Sequence, residues 1–158
     1  MGDANSVSSS QVQMTELVLP SHTNALGSIF GGVIMSWIDI AAAICASRHS
    51  RKTAVTASID ALNFVAPVYK GWIVNLKASV NYAGKSSMEI GVRVDAENPR
   101  TGEMFHTASA YLTFVAVDEK WKPVSIPKLI AETPEQKRRM EAAEERRRVR
   151  LAQKTSKS

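Results

Sequence analysis

Asp39 is the one formally charged residue in the run from 18 to 46. A carboxylate in apolar surroundings is costly unless it is paired. Its neighbours three and four positions away are Met35, Ser36, Ala42 and Ala43, mostly small side chains that leave room for a reactant. Two readings follow from the residues alone. Asp39 is a structural acid, capping a loop or pairing with Arg48 or Arg93, or it is an active-site carboxylate acting as nucleophile or general base. Gly31 and Gly32 open the same segment. Free amides at a helix N-terminus stabilise an oxyanion; the plain alternative is a tight entry into the helix. Lys85, Ser86 and Ser87 follow Gly84. Their ammonium, hydroxyls and turn amides suit phosphate groups, and equally make an ordinary hairpin. The histidines His22, His49 and His106 lack the close spacing of a metal pair. His22 reads as a loop-positioning residue and His106 as a half-buried strand residue. Cys45, the single cysteine, excludes a disulfide framework and a cysteine-ligated zinc site. Neither a P-loop nor a dinucleotide fingerprint is present.

These groups need a scaffold, and periodicity supplies one. Residues 32–49 predict a helix of roughly 27 Å. It is apolar on nearly every face and so is expected to be buried on most sides, with Arg48 and His49 answering the dipole in its last turn. The period then changes to two. Strands are expected over 55–64, with a bulge near 61–63, and over 72–82, 88–96 and 103–118. Turns fall at 67–71, 84–85 and 98–102, and an earlier strand, 13–19, stops at Pro20. Short turns require antiparallel pairing, and an apolar sheet face must be covered. The long helix is the only adequate cover. The fold class is therefore α+β: an antiparallel sheet wrapped around one long central helix, the hotdog fold, with a C-terminal helical tail.

The chain has 158 residues, 44% hydrophobic and 22% charged, which suits one soluble domain with a tail. Residues 1–13 are expected to be disordered, 14–128 to form the globular domain, and 129–158 a basic helical tail. Residues 1–133 hold eleven basic and eleven acidic side chains, whereas 134–158 hold nine basic and four acidic. The net charge of +5 thus belongs to the tail, and no nucleic-acid partner is expected of the body. Thr133, Pro134 and Gln136 form a helix start, and the rest of the tail reads as a solvated, fraying helix. The run 29–46 is broken by Gly31, Gly32, Ser36 and Asp39, a poor transmembrane candidate. No leader pattern is seen at the start, so the cytoplasm is the default compartment.

The stretch 20–39, PSHTNALGSIFGGVIMSWID, closely resembles the signature of hotdog-fold acyl-CoA thioesterases (acyl-CoA hydrolases). Residues 55–58 (VTAS), 81–89 (NYAGKSSME) and 110–116 (AYLTFVA) resemble that family in the same order. The resemblance spans about residues 17–127 and implies hydrolysis of acyl-coenzyme A to a free carboxylic acid and coenzyme A, in fatty-acid metabolism. It assigns the catalytic carboxylate to Asp39 and a supporting amide to Asn24, the two meeting across a subunit interface. It implies oxyanion amides at Gly31 and Gly32, and substrate contacts at Thr56, Lys85, Ser86 and Ser87. The acyl chain is expected along the helix, past Met35, Trp37 and Ile38. No metal and no cofactor are implied, since coenzyme A enters as part of substrate and product. The implied partner is self, as a homodimer assembled further as a trimer of dimers, with no membrane. The alternative is a non-catalytic hotdog module that binds acyl-CoA as a regulatory ligand.

Overall fold

The computed structural model describes residues 4–156. In chain order it has strands β1 (Ala4–Ser6) and β2 (Val12–Leu17), helix α1 (Gly31–Ser50), strands β3 (Ala54–Phe64), β4 (Ile73–Ala83), β5 (Ser87–Glu97), β6 (Met104–Ala116) and β7 (Lys128–Ile130), and helix α2 (Pro134–Ser156). Five strands form one antiparallel sheet in the order β2-β4-β5-β6-β3. The tight turns dictate this. Gly71 and Gly102 take the left-handed conformation (φ 83° and 76°) that closes the turns into β4 and β6. The expected bulge is present: the β3–β6 register shifts between Asp60 and Asn63, with Ala61 at φ 51°.

Helix α1 lies across the inner face of this sheet. Ile34, Trp37, Ile38, Ala41, Ala42, Cys45 and Ala46 recur at helical spacing and are buried. They meet Leu76, Val80, Met88, Ile90, Leu112 and Phe114 from alternate strand positions. Cys45 is a core residue, its thiol pushed up to about 11 by burial. By length and apolarity α1 would suffice to cross a membrane; here its apolar face is used on the sheet.

One expectation about α1 is corrected. It is not buried on most sides within the chain. Gly32, Met35, Ser36, Ile40, Ile44 and Ser47 are exposed along the face opposite the sheet, because a single five-stranded sheet covers one side of a helix only.

Both termini are also corrected. Disorder is expected of residues 1–13, but β1 pairs in parallel with β7, Val7 is buried, and the Asn5 side chain donates to the His49 carbonyl at 2.9 Å. A three-residue strand has no period to announce it. Residues 1–3 lie outside the described residues. The tail forms the expected helix, and its start is a capping box: Gln136 N–H donates to Thr133 Oγ1 (3.1 Å), and Gln136 Oε1 accepts from the amide of Glu132 (2.8 Å). The helix does not stand free in solvent, however. It covers the sheet's outer face, where Ala143 and Gln136 are buried. There Arg146 makes a two-pronged bond to Glu89 (2.9 and 2.8 Å) and lies over the Tyr111 ring at 3.7 Å.

Candidate active site

Asp39 sits midway along α1 on its open face and is half-buried. Thr56, near the start of β3, donates its hydroxyl to Asp39 Oδ1 at 2.7 Å. The structure brings these two together because β3 runs beside the helix on the sheet's free edge. The bond fixes the carboxylate and engages one oxygen. Oδ2 has no hydrogen bond or ion pair among the described residues, so one oxygen faces the open side. The structural alternatives do not occur: Arg48 donates to the Gln11 carbonyl, and Arg93 pairs with Asp95.

Asn24 stands in the loop before α1. Its Oδ1 accepts from the amides of Leu26 (2.9 Å) and Ser28 (3.3 Å), and its Nδ2 donates to Ser28 Oγ at 3.0 Å. This Asx-type arrangement holds the side chain rigidly while leaving one amide N–H available. Sequence reasoning passed over Ser28, though its place four residues after Asn24 was a signal. His22 anchors the loop from its other side. Its Nδ1 accepts from the Leu19 amide at 3.0 Å, its carbonyl accepts from Phe30, and its ring meets Trp37 edge-on at 5.2 Å. It is a positioning residue of the loop. His106 is exposed rather than half-buried as expected, on the outer face of the sheet, with Nδ1 3.5 Å from Asp95.

Gly31 and Gly32 form the exposed first turn of α1, and their amides have no acceptor among the described residues. They lie seven and eight residues before Asp39, which is about 10–12 Å along the axis. An attacked carbonyl must lie within about 3 Å of both the attacking group and its oxyanion donors. These amides and this Asp39 therefore cannot serve one carbonyl within a single chain. Asn24 likewise makes no bond to Asp39 in the chain, its amide being turned to Ser28.

The Lys85–Ser86–Ser87 turn is not in contact with Asp39. In the sheet register Thr56, Phe114 and Met88 stand side by side, so the turn is about 10 Å from Thr56 at two strand spacings. The carbonyls of Lys85, Ser86 and Ser87 accept from Ile126, Ala116 and Gly84. Lys85 is exposed and forms no ion pair among the described residues. The acyl path requires a correction: Trp37 and Ile38 face the core and are buried, while Met35 is exposed. Open space lies instead in two clefts, one between the β4–β5 turn and α2 and one at the start of α1. A cleft of about 510 Å³ borders Lys85 and Leu129, and one of about 350 Å³ runs beside Gly31 between Ile34, Phe64 and Val65.

A family model, the thioesterase superfamily, matches residues 26–103. The chain is 43% identical over 127 residues to the "Uncharacterized acyl-CoA thioester hydrolase YkhA" of Bacillus subtilis, covering 80% of this chain and 74% of that one. The chain belongs to the thioesterase superfamily. Two solved structures superpose over nearly the whole chain. A hexameric acyl-CoA thioesterase superposes with a TM-score of 0.91 at 41% identity, over 95% of this chain and 96% of that one. An acyl-CoA hydrolase from Staphylococcus aureus, solved with butyryl coenzyme A and coenzyme A, superposes at 0.89 and 35% identity, over 98% and 94%. Variants of that hydrolase with an aspartate, an asparagine or a threonine replaced by alanine are also similar. In the rat cytosolic acyl coenzyme A thioester hydrolase the match is 37% identical and spans 37% of that protein's length. The hotdog fold and the class of thioester hydrolase expected from the sequence agree with these relatives.

Proposed function

We propose that this protein hydrolyses the thioester of an acyl-coenzyme A to a carboxylic acid and coenzyme A, in the cytosol, with Asp39 as the reacting carboxylate. The observation that carries this is the geometry of Asp39: one oxygen fixed by Thr56, the other free on the open helix face. A second support is spacing. In the S. aureus hydrolase the replaced asparagine, aspartate and threonine are separated by 15 and 17 positions, as Asn24, Asp39 and Thr56 are here.

The free oxygen of Asp39 attacks the thioester carbonyl, giving a mixed anhydride that water opens, or it takes a proton from the water that attacks. By either route the C–S bond breaks, coenzyme A leaves as a thiolate and is protonated, and the acyl group ends as a carboxylate. The carbonyl oxygen gains charge during attack and needs preorganised donors. The free amides of Gly31 and Gly32 and the spare Asn24 N–H suit that need. Since the glycine amides lie too far from Asp39 in the same chain and Asn24 makes no bond to it there, the complete site takes Asp39 and Thr56 from one protomer and the Asn24 loop and helix start from another. The open apolar face of α1 and the free edge of β3 are the surfaces for such a dimer, and further assembly as a trimer of dimers follows the hexameric relative. Lys85, Ser86 and Ser87 contact the coenzyme A portion, and the Phe64–Val65 cleft receives acyl carbon.

Thiol release from acyl-CoAs of graded chain length tests the proposal. Wild type turns over, and Asp39→Asn loses at least about a hundredfold while remaining folded. A wild type that binds acyl-CoA but releases no thiol at any chain length would leave a ligand-binding module in place of an enzyme.

A further inference from the structure

The connection leaving β6 is a tight turn, 118–122, and it is rigidly built. The Asp118 carboxylate accepts the amides of Lys120 (2.8 Å) and Lys122 (3.0 Å). The Asp118 amide donates to the Lys122 carbonyl (2.9 Å), and the Trp121 amide to the Asp118 carbonyl (3.0 Å). At its tip Trp121 has φ 64° and is 71% exposed. A left-handed backbone is unfavourable for a bulky side chain. Three other turns of this chain put glycine in that conformation, at Gly27, Gly71 and Gly102. Trp121 therefore bears a backbone penalty that glycine would not, and its exposed ring recovers little of it from the core. Arg51 and Ala61 share that backbone conformation, but only at Trp121 does it present so large an apolar ring to solvent.

Trp121 borders an open cleft of about 830 Å³ together with Lys52, Thr53, Lys120, Lys122 and Val124. The carboxylates there are Asp118 and Glu119, and Asp118 is occupied by the turn amides. Lys120 and Lys122 form no ion pair among the described residues, and Lys52 Nζ donates to the Ser125 carbonyl at 2.6 Å. An aromatic face beside exposed ammonium groups matches a purine base carrying phosphates. The site also lies at the right end of the molecule. The Val117 amide donates to the Thr53 carbonyl (2.9 Å), and Thr53 is three residues, about 10 Å, from Thr56. The Ile126 amide, on the other limb of the connection, donates to Lys85.

We infer that Trp121, with Lys120 and Lys122, is a subsite for the phosphorylated adenosine end of coenzyme A, the indole stacking on the adenine and the lysines answering the phosphates. This rests on the acyl-CoA reading above and adds a specificity-determining residue to it. Trp121 takes no part in bond breaking, so its loss changes KM and leaves kcat.

The probe is adenosine 3′,5′-bisphosphate, titrated calorimetrically into wild type, Trp121→Gly and Trp121→Phe. Glycine suits the left-handed backbone, so the variant keeps its fold. We expect nucleotide affinity to fall roughly tenfold in Trp121→Gly and to be largely kept in Trp121→Phe. KM for acyl-CoA rises by about the same factor, while hydrolysis of an acyl N-acetylcysteamine thioester, which lacks the nucleotide, is unmoved. Equal nucleotide affinity in wild type and Trp121→Gly overturns the inference. So does an equal loss on the substrate without a nucleotide, or binding to anionic phosphatidylserine vesicles that needs Trp121 when nucleotide binding does not. Absence of thiol release from every acyl-CoA, with Trp121-dependent nucleotide binding intact, counts against the hydrolase reading and for the subsite.

Discussion

His49 shows how one buried side chain ties stability to pH. Its ring is fully buried at the end of α1, where Nε2 donates to the Pro127 carbonyl at 2.8 Å. Its Nδ1 has no partner among the described residues, so the neutral tautomer with the proton on Nε2 fits the site. Burial holds its pKa below the ordinary value, opposed in part by the Pro127 carbonyl. The reading of His49 as a cation answering the helix dipole is thus corrected; Arg48, exposed beside it, holds that role. In the unfolded chain the ring takes up a proton near pH 6.5, and in the native state only at lower pH. The unfolded state binds more protons in that window, so stability falls as pH drops below about 6.5, by at most about 1.4 kcal/mol per pH unit from this group. Urea midpoints between pH 5 and 7.5 are expected to show this slope in wild type and to lose it in His49→Gln, which keeps a donor for Pro127. An unchanged slope in the variant would assign it elsewhere. Asp39 was legible in sequence as a lone charge in an apolar run. Its link to Thr56 was not, since the two stand 17 positions apart on different elements and only the sheet edge unites them.

At the scale of elements, local chemistry was readable and long-range docking was not. The capping box of α2 and the bulge at Ala61 are built from neighbours in sequence, and both appear where composition placed them. The contact of α2 with the sheet joins Arg146 to Glu89 across 57 positions, and nothing in a run of mixed charge marks which arginine is used. The geometry identifies it. Glu89 is nearly buried and accepts from Asn81 as well as Arg146. Asn81 reaches it by lying across Gly91, where a Cβ would come within 2.7 Å of the amide nitrogen. Removing the guanidinium strands a buried carboxylate, so Arg146→Met is expected to cost about 2–3 kcal/mol, somewhat below a fully buried pair because Arg146 is partly exposed. Adding Glu89→Gln removes the stranded charge. The double variant should then be more stable than the two single losses summed, by about 1 kcal/mol or more in a urea-denaturation cycle. Strict additivity would mean that α2 docks through its apolar contacts alone.

The whole molecule raises a question that its single chain cannot answer with its own atoms. The amides of Gly31 and Gly32, proposed above as oxyanion donors, and the carboxylate of Asp39 ride on one rigid helix, about 10–12 Å apart, and no rotamer closes that distance. Two copies related by a two-fold axis would place each helix start beside the other's middle, making two equal sites from exchanged halves. A chain with Asp39→Ala keeps a sound Asn24 loop, and a chain with Asn24→Ala keeps a sound Asp39. Each homodimer is then crippled at both sites, whereas a mixed dimer has one site with both lesions and one with none. Random pairing of equal amounts makes half the dimers mixed, so co-refolded variants should recover about a quarter of wild-type turnover. Turnover after co-refolding that stays at the level of the separate variants would show that Asp39 and Asn24 act within one chain, and the helix would then have to deform to join them. Recovery without any exchange of subunits, checked by tagging one variant and isolating mixed dimers, would count against the shared site equally. Recovery confined to the mixed fraction would mean that the exposed apolar face of α1 is half of an active site as well as an interface.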